Sequence, residues 1–344
     1  MADNWFHPCC LGLNEEGKMY SVEVYGVKDG YHRMCRLVAQ LGKKEETRNG
    51  PVLALDGPLM LKVHCPRHRV LMDPARDANP IFHLMEALWM LAGRNDVAFV
   101  QQFNSHIGSF SDDGTSFNAA YGHRWAEHFG YDQLGRAAEM LNVNQQDRRV
   151  VLGMWDPRID LGSSSKDIPC NTQVMFRVVR GGLDMTTTNR SNDLIWGLMG
   201  ANFVHMSIMH EWMAAAVGLP LMSTKKPSDG GRWHHMSNNL HVYERHWELI
   251  KDIAPDAMIN AYEYKYYPTV TDAKKFRECC VEVVNGKVRD FGDPFFDGTV
   301  APLLEAWSNW KSGNKGAAVM AAAKMQAWDW RTATIAWFGR RMNK

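Results

Sequence analysis

The chain has 344 residues and a formal net charge of +1, from 39 lysines and arginines against 38 aspartates and glutamates. So even a balance provides no global field for nucleic acid or for an acidic membrane surface. No apolar run approaches the ~20 residues of a membrane span, and an apolar share of 45% is enough for a core of the chain's own.

The opening Met1-Ala2-Asp3-Asn4-Trp5 lacks a basic start followed by an apolar stretch, so no secretory signal is expected. Seven cysteines comprise the adjacent pairs Cys9-Cys10 and Cys279-Cys280 and the isolated Cys35, Cys65 and Cys170. Adjacent cysteines pair poorly and no C-x-x-C spacing occurs. That predicts free thiols in a reducing cytoplasm and no metal site.

Met19 to Val27 alternates and predicts a short strand, followed by a helix around His32 to Leu41. Lys43 to Gly50 reads as a charged turn. Val52 to Val63 reads as a strand pair broken at Asp56-Gly57-Pro58. Asn79-Pro80 opens a helix, Ile81 to Ala92, ending near Gly93. Glu86 stands among its apolar residues. It is an exposed face residue, a member of a structural ion pair, or a carboxylate that orders water. Asn95 to Phe103 predicts a second helix with Asn95 as its cap. Ser105 to Asn118 is rich in Gly, Ser and Asp and reads as a flexible loop, of the kind that lines active sites. Leu134 to Leu141 reads as helix and Gln145-Gln146-Asp147 as a turn. Arg148-Arg149 then opens an apolar strand, Val150 to Trp155, which Asp156-Pro157 ends.

A Gly/Ser-rich loop, Leu161 to Lys166, leads to Asp167-Ile168-Pro169-Cys170-Asn171. Alternating segments follow, Thr172 to Arg180 and Leu183 to Thr188, joined by a turn at Gly181-Gly182. Asn189-Arg190-Ser191-Asn192-Asp193 closes this hairpin. A cysteine thus enters the hairpin and an Arg-Ser-x-Asp cluster leaves it. A thiol needs nearby positive charge or a base to become a thiolate. Guanidinium and hydroxyl donors together fit phosphate oxygens. Cys170 with His241 and an acid also leaves a thiol hydrolase open, and a silent nucleotide-binding protein is a third class.

Gly200 to Val217 reads as a long apolar helix, with Met206, Met209 and Met213 as core. His205 and His210 read as core or interface histidines. Leu219 to Trp233 reads as a loop, and His234-His235 lacks a spaced acidic partner for a metal. His241 and Tyr243, two apart, share one strand face and can reach one hydroxyl. A Tyr-rich strand, Ala261 to Val270, is expected after a helix. Residues 300–344, with Trp307, Trp310, Trp328, Trp330 and Trp337, read as a helical extension. Without repeat or linker, residues 1–344 are expected to form a single domain.

Together these motifs resemble the thymidylate synthase superfamily. Pro169-Cys170 before a hairpin, Arg190-Ser191-Asn192-Asp193, Gly197 and Asn202 match the family's central pattern. On either side lie Glu86 in His83-Leu84-Met85-Glu86-Ala87-Leu88-Trp89, Tyr121-Gly122 ahead of Arg124-Trp125, Arg148-Arg149, and Leu240-His241-Val242-Tyr243. The matches run in family order from about Arg48 to His246. One extra residue separates Gly197 from Asn202, so an ungapped match puts Ala201 at the base edge instead.

The wording around Arg190 and Leu240 is similar to the phage deoxycytidylate and deoxyuridylate hydroxymethylases. Asn171 stands where the methylating enzymes have His, and Gly108-Ser109 where they have Trp. Their short apolar C-terminal tail is not recognisable at Arg340-Arg341-Met342-Asn343-Lys344. The resemblance implies an α+β fold (α/β two-layer), a mixed β-sheet packed by helices and forming a homodimer interface.

It also implies the chemistry. Cys170 adds to C6 of a pyrimidine nucleotide, and C5 takes the one-carbon unit of 5,10-methylenetetrahydrofolate. Water then gives a hydroxymethyl product, or hydride gives methyl, with the three departures favouring water. In this scheme Glu86 relays protons through ordered water. Tyr121 points its hydroxyl at Cys170, and Asn171 completes the catalytic group. Arg190, Ser191, Arg148, Arg149 and Arg48 hold the 5′-phosphate, with the Arg148-Arg149 pair reaching in from a homodimer partner. These arginines also lower the thiol's pKa. Asp193 bonds the pterin, Asn202 reads the base, and His241 with Tyr243 holds the sugar 3′-oxygen. An Asn amide suits uracil while the motif wording suits cytosine. That leaves dUMP ahead of dCMP, with CMP open. The phage likeness implies a modified base for viral DNA, made in a host cytoplasm.

Overall fold

The computed structural model describes residues 19–220, 231–251, 253 and 267–342. The chain opens with β1 (Tyr20–Val24), α1 (Val27–Leu41), β2 (Lys43–Thr47), β3 (Gly50–Ala54) and β4 (Leu59–Val63). Helices α2 (Pro80–Leu91), α3 (Val97–Gln101), α4 (Tyr121–His123) and α5 (Gln133–Val143) follow. Then come β5 (Val151–Gly153), β6 (Asn171–Val179), β7 (Gly182–Asn189) and β8 (Asn192–Asp193). A π-helical segment, Leu194–Ala201, runs into α6 (Asn202–Ala216), and β9 (Trp233–Ser237) and β10 (Leu240–Tyr243) return to the sheets. The rest is helical: α7 (Trp247–Lys251), α8 (Ala273–Val284), α9 (Ala301–Lys311), α10 (Lys315–Ala323) and α11 (Trp328–Met342).

The strands form two mixed sheets, a six-stranded one in the order β1-β4-β9-β7-β6-β5 and a four-stranded one in the order β2-β3-β10-β8. Strands β1 and β4 alternate buried and more accessible residues. That period of two turns one face to the helices. The β6–β7 hairpin closes on Arg180 and Gly181, both at positive φ (51° and 77°), one residue before the expected turn. Two such residues make the tight turn whose twist matches antiparallel strands. The register it sets runs back to Asn171 opposite Asn189.

Helices α2 and α6 form the wall behind the sheet. Every residue of α2 is buried except Glu86, and α6 is buried from Phe203 to Ala214. A helix apolar all round belongs inside a core. Asn79 caps α2 by accepting from the amides of Ile81 and Phe82 at 3.1 Å each. The C-terminal helices continue this core: α11 packs on α2, Trp307 meets Phe103 at 5.8 Å between ring centres, and Trp310 stacks on Phe338 at 4.5 Å. The last turn of α11 grips Asp77 through Arg340 and Arg341 at 2.8 Å.

Several expectations change. Lys43 to Gly50 is a β-hairpin rather than a charged turn. β2 is wholly exposed and lies at a sheet edge, where a charged strand resists pairing with another chain. Val52 to Val63 holds two strands that do not pair with each other: β3 joins the small sheet and β4 the large one. Asp96, not Asn95, caps α3. The loop Ser105 to Asn118 contains a 3-10 turn, Ile107–Phe110, and Asp113 accepts from the amides of Thr115 and Ser116. Helix α8, with Cys279 and Cys280 buried in it, was not expected. Of the expected loop Leu219 to Trp233, residues 221–230 lie outside the described residues, as do 261–266 of the expected Tyr-rich strand, whose remaining 267–270 is irregular. Cys9, Cys10, Asn343 and Lys344 also lie outside them. Among the described residues no helix is long and apolar enough to cross a membrane.

Candidate active site

The site grows from the open end of the β6–β7 hairpin. Its register brings the two chain ends together: the Arg190 amide donates to the Cys170 carbonyl at 2.9 Å. The Arg190 side chain then reaches back, donating from Nε to Pro169 O at 2.9 Å and from Nη2 to Ile168 O at 3.0 Å. Its guanidinium lies 5.7 Å from the centre of the Trp155 ring. Arg190 therefore clamps the loop that presents the half-buried thiol.

Burial pushes the Cys170 thiol above its usual range, opposed mainly by Arg190 and less by Arg48, with Asp167 and Asp193 adding to the rise. Arg190 and Arg48 lower it, but burial outweighs them. A thiolate in a desolvated pocket loses more than a guanidinium already spent on two carbonyls returns.

Tyr121 and Asn171 flank the thiol. The Asn171 amide donates to the Tyr121 hydroxyl at 3.3 Å. Burial and the neighbouring Cys170 hold that phenol far above its ordinary range, so it keeps its proton and can donate. The Asn171 side chain points into the sheet, donating to Asn189 Oδ1 at 2.9 Å. The helix of Tyr121 is pinned by the buried Arg124–Asp160 pair, two bonds at 2.8 and 2.9 Å.

Asp167 was not singled out from the sequence. The Ala119 amide donates to its carboxylate at 2.8 Å, and burial pushes its pKa up to about 6. Its place three residues before the cysteine was the available signal. Ser165 donates to Asp112 at 2.5 Å and the Lys166 amide to the same carboxylate at 3.0 Å. The Gly/Ser/Asp-rich segment is thus a buttress of the cysteine loop. The tip of the β2–β3 hairpin joins it through Arg48, whose Nη1 donates to Ser165 O at 3.2 Å.

Beyond Arg190, half-buried Ser191 precedes Asn192, which is held against His235 Nε2 at 3.1 Å. Asp193 caps the π-helical segment, accepting from the Ile195 amide at 2.8 Å. The segment kinks at Met199 and Gly200, whose backbone leaves the helical region. Arg76, another residue that sequence reasoning missed, braces it by donating to Ile195 O at 3.1 Å. A π-bulge is how a helix takes in one extra residue, and here it absorbs the one between Gly197 and Asn202. A Cβ on Gly197 would lie 2.6 Å from Asn192 Oδ1 and 3.2 Å from Asn202 Nδ2. The Asn202 amide therefore hangs over Gly197 beside Asn192, whereas Ala201 is buried. The π-helical segment thus accommodates the extra residue that the gapped match requires.

His241 and Tyr243 share a face of β10 with ring centres 5.0 Å apart, and His241 lies in register with Asp193 of β8. Asn239 Oδ1 sits 2.8 Å from His241 Nδ1. Burial keeps this imidazole's pKa low. Glu86 faces His205 of α6, with Oε2 3.0 Å from Nε2. Helix α2 also packs on the helix of Tyr121 and on the π-helical segment.

Arg148 and Arg149 do not join this group within one chain. Strand β5 pairs Val151 with Met175, which carries Arg149 to the level of Arg177. At ~3.3 Å per residue that is roughly 20 Å from Cys170. Arg149 instead binds Asp147 at 2.7 Å with its side chain 82% exposed. Among the described residues no cluster of His, Cys, Asp and Glu could hold a metal ion.

A model of the family described as thymidylate synthase matches residues 29–282. The chain is 40% identical over 321 residues to a deoxyuridylate hydroxymethyltransferase of Pseudomonas phage M6, covering 87% of this chain and 88% of that protein. A deoxyuridylate hydroxymethyltransferase of Bacillus phage SP01 is 36% identical over 214 residues, 57% of this chain and 54% of that one. Another, from Delftia phage PhiW-14, is 26% identical over 225 residues, 62% of this chain and 59% of that one.

Proposed function

The chain belongs to the thymidylate synthase family, and from that premise we propose that it hydroxymethylates dUMP at C5, with methylenetetrahydrofolate as the one-carbon donor. The observation that carries this reading is the meeting of Cys170 and Arg190 across the hairpin end at 2.9 Å, with the Asn202 amide alongside Gly197. The names of the phage relatives support the product and the base.

In this reading the nucleotide binds first. Arg190, Ser191 and Arg48 take its phosphate, and His241 with Tyr243 holds the sugar 3′-oxygen. Asn202 offers both a donor and an acceptor, which matches O4 and N3–H of uracil. A carboxylate there would suit the cytosine amino group instead. Cys170 sulfur forms a bond to C6 and the ring electrons move to C5. Because burial holds the thiol proton, a base must remove it as the bond forms. C5 bonds to the one-carbon unit, C5 then loses its proton, and tetrahydrofolate leaves as the amine. A methylene conjugated with the C4 carbonyl remains. Water adds to it, and the electrons expel Cys170 sulfur.

Asp193 fits the pterin. Its Oδ1 caps the helix, leaving Oδ2 to accept from a ring N–H, and the indole of Trp196 beside it is 38% exposed. Arg148 and Arg149 supply phosphate contacts to the neighbouring subunit of a homodimer, since they lie too far from their own Cys170. We read residues 1–344 as one domain acting in a host cytoplasm, with the product destined for viral DNA.

Mass spectrometry of reactions with methylenetetrahydrofolate and dUMP, dCMP or CMP separately tests this. A gain of CH2O on dUMP is the expected result. A gain of CH2 would identify a methylating enzyme, and no change on any nucleotide would leave a thiol hydrolase or a silent binder.

A further inference from the structure

We propose that His205 and Glu86 act as a pair, His205 positioning the Glu86 carboxylate so that it holds and deprotonates the water that adds to the C5 methylene. This inference rests on the hydroxymethylase reading above and concerns the step that separates it from methylation.

Three observations converge on the pair. Helix α2 is buried along its whole length except at Glu86, so a carboxylate is the one side chain this wall offers to a site. His205 was expected to be a core or interface residue, but neither of its ring nitrogens nor Glu86 Oε2 completes an aligned hydrogen bond among the described residues. Glu86 Oε2 and His205 Nε2 nevertheless face each other at 3.0 Å. Buried polar groups with unspent hydrogen-bonding capacity are uncommon and require an explanation. A reacting water that both groups contact supplies one.

Position completes the case. His205 follows Asn202 by three residues on α6, so the two share a helix face. The residue that reads the base and the residue that orients Glu86 are thereby carried together. His83, one turn before Glu86, is kept neutral by burial, with Arg76 and His205 contributing. It does not compete for the proton.

The step balances. Water oxygen bonds to the methylene carbon while one of its protons passes to the Glu86–His205 pair. The methylene π electrons move through C5 onto the C4 carbonyl oxygen as an enolate. As that enolate collapses, C5=C6 re-forms and the C6–S bond breaks. The departing thiolate recovers the proton from the pair, so that only water is consumed.

The test separates early from late chemistry. Release of tritium from C5-labelled dUMP reports everything up to loss of the C5 proton, and mass spectrometry reports the hydroxymethyl product. For His205→Leu the product rate should fall by roughly tenfold to a hundredfold, while tritium release falls severalfold less and KM for dUMP stays within about threefold. His205→Gln, which keeps a donor, should recover part of the product rate. Added 2-mercaptoethanol should capture the accumulating methylene species as a thioether in both variants.

Product and tritium release falling in parallel, or neither falling, would overturn the pairing while leaving the hydroxymethylase reading intact. A wild-type protein that makes no hydroxymethyl product from dUMP would overturn that reading, and this inference with it.

Discussion

At the open end of the β6–β7 hairpin most polar groups around Cys170 have a partner. Arg190 spends its donors on the Ile168 and Pro169 carbonyls, Asn171 pairs with Asn189, and Asp193 caps a helix. Where α2 meets α6, Glu86 Oε2 and both His205 nitrogens complete no aligned hydrogen bond among the described residues, although Oε2 and Nε2 face each other at 3.0 Å. The first region keeps only Asn171 Oδ1 and Asn192 Oδ1 without a partner among its described residues, and its remaining bonds fix where the Cys170 loop stands. The second keeps hydrogen-bonding capacity in reserve, which costs stability and is what the proposed reacting water would use. On this proposal, positioning and proton handling are supplied by differently bonded parts of one fold.

Removing the nucleophile should break the first region most completely. Cys170→Ser should lower turnover by at least roughly 10³-fold, since residues that act in one chemical unit fail together. Calorimetric dUMP binding should survive, because Arg190 and its neighbours are untouched. Retention of substantial turnover would exclude Cys170 as the nucleophile.

Asn202 stands where the two regions meet. Asn202→Asp replaces a donor–acceptor amide with an acceptor. The ratio of kcat/KM for dUMP over dCMP should drop by roughly 10- to 100-fold. An unchanged ratio would mean that another group reads the base and that Ala201 must be reconsidered.

Gly197 sharpens the comparison through stability. In Gly197→Ala the new methyl meets Asn192 Oδ1 at 2.6 Å, and Asn192 is itself tied to His235 and Ser237. The clash should cost about 1–3 kcal/mol in urea unfolding and weaken dUMP binding by displacing the Asn202 amide. A stability equal to wild type would show that the joint is loose.

The smallest effect concerns Asp167, whose pKa burial raises to about 6 from 3.8. The folded state holds this proton more tightly than the unfolded state does. The group's stabilising contribution is therefore full below pH 4 and is lost as pH rises through about 6. Relative to Asp167→Asn, the wild type should lose on the order of 1 kcal/mol across that window, because solvent screens a half-buried group. Parallel pH profiles of the urea midpoint would contradict this.

The hairpin was legible because its information is local. Alternating segments on either side of a glycine turn are enough to predict two paired strands, but the turn falls on Arg180-Gly181, one residue before the expected Gly181-Gly182, and only that observed register makes Cys170 and Arg190 neighbours. The Asn79 cap, Glu86 within an apolar helix, and the shared face of His241 and Tyr243 follow from similarly short periods. The charged segment from Lys43 to Thr47 misled, since polarity alone does not distinguish a solvated turn from an exposed edge strand. Asp167 and Arg76 were missed because each acts through groups distant in sequence, the Ala119 amide and the Ile195 carbonyl.

The sequence by itself carried the motifs that resemble the family, and most of the local elements that hold them, because short spacings translate directly into helix faces and strand pairs. Only the tertiary structure decided among alternatives that spacing leaves equal. The kink at Met199 and Gly200 turns Asn202 rather than Ala201 beside Asn192. The length of β6 sets Arg149 away from its own Cys170. The packing of α2 on α6 brings Glu86 to His205. Each depends on how distant segments meet in three dimensions, and packing, rather than any local period, carries that information.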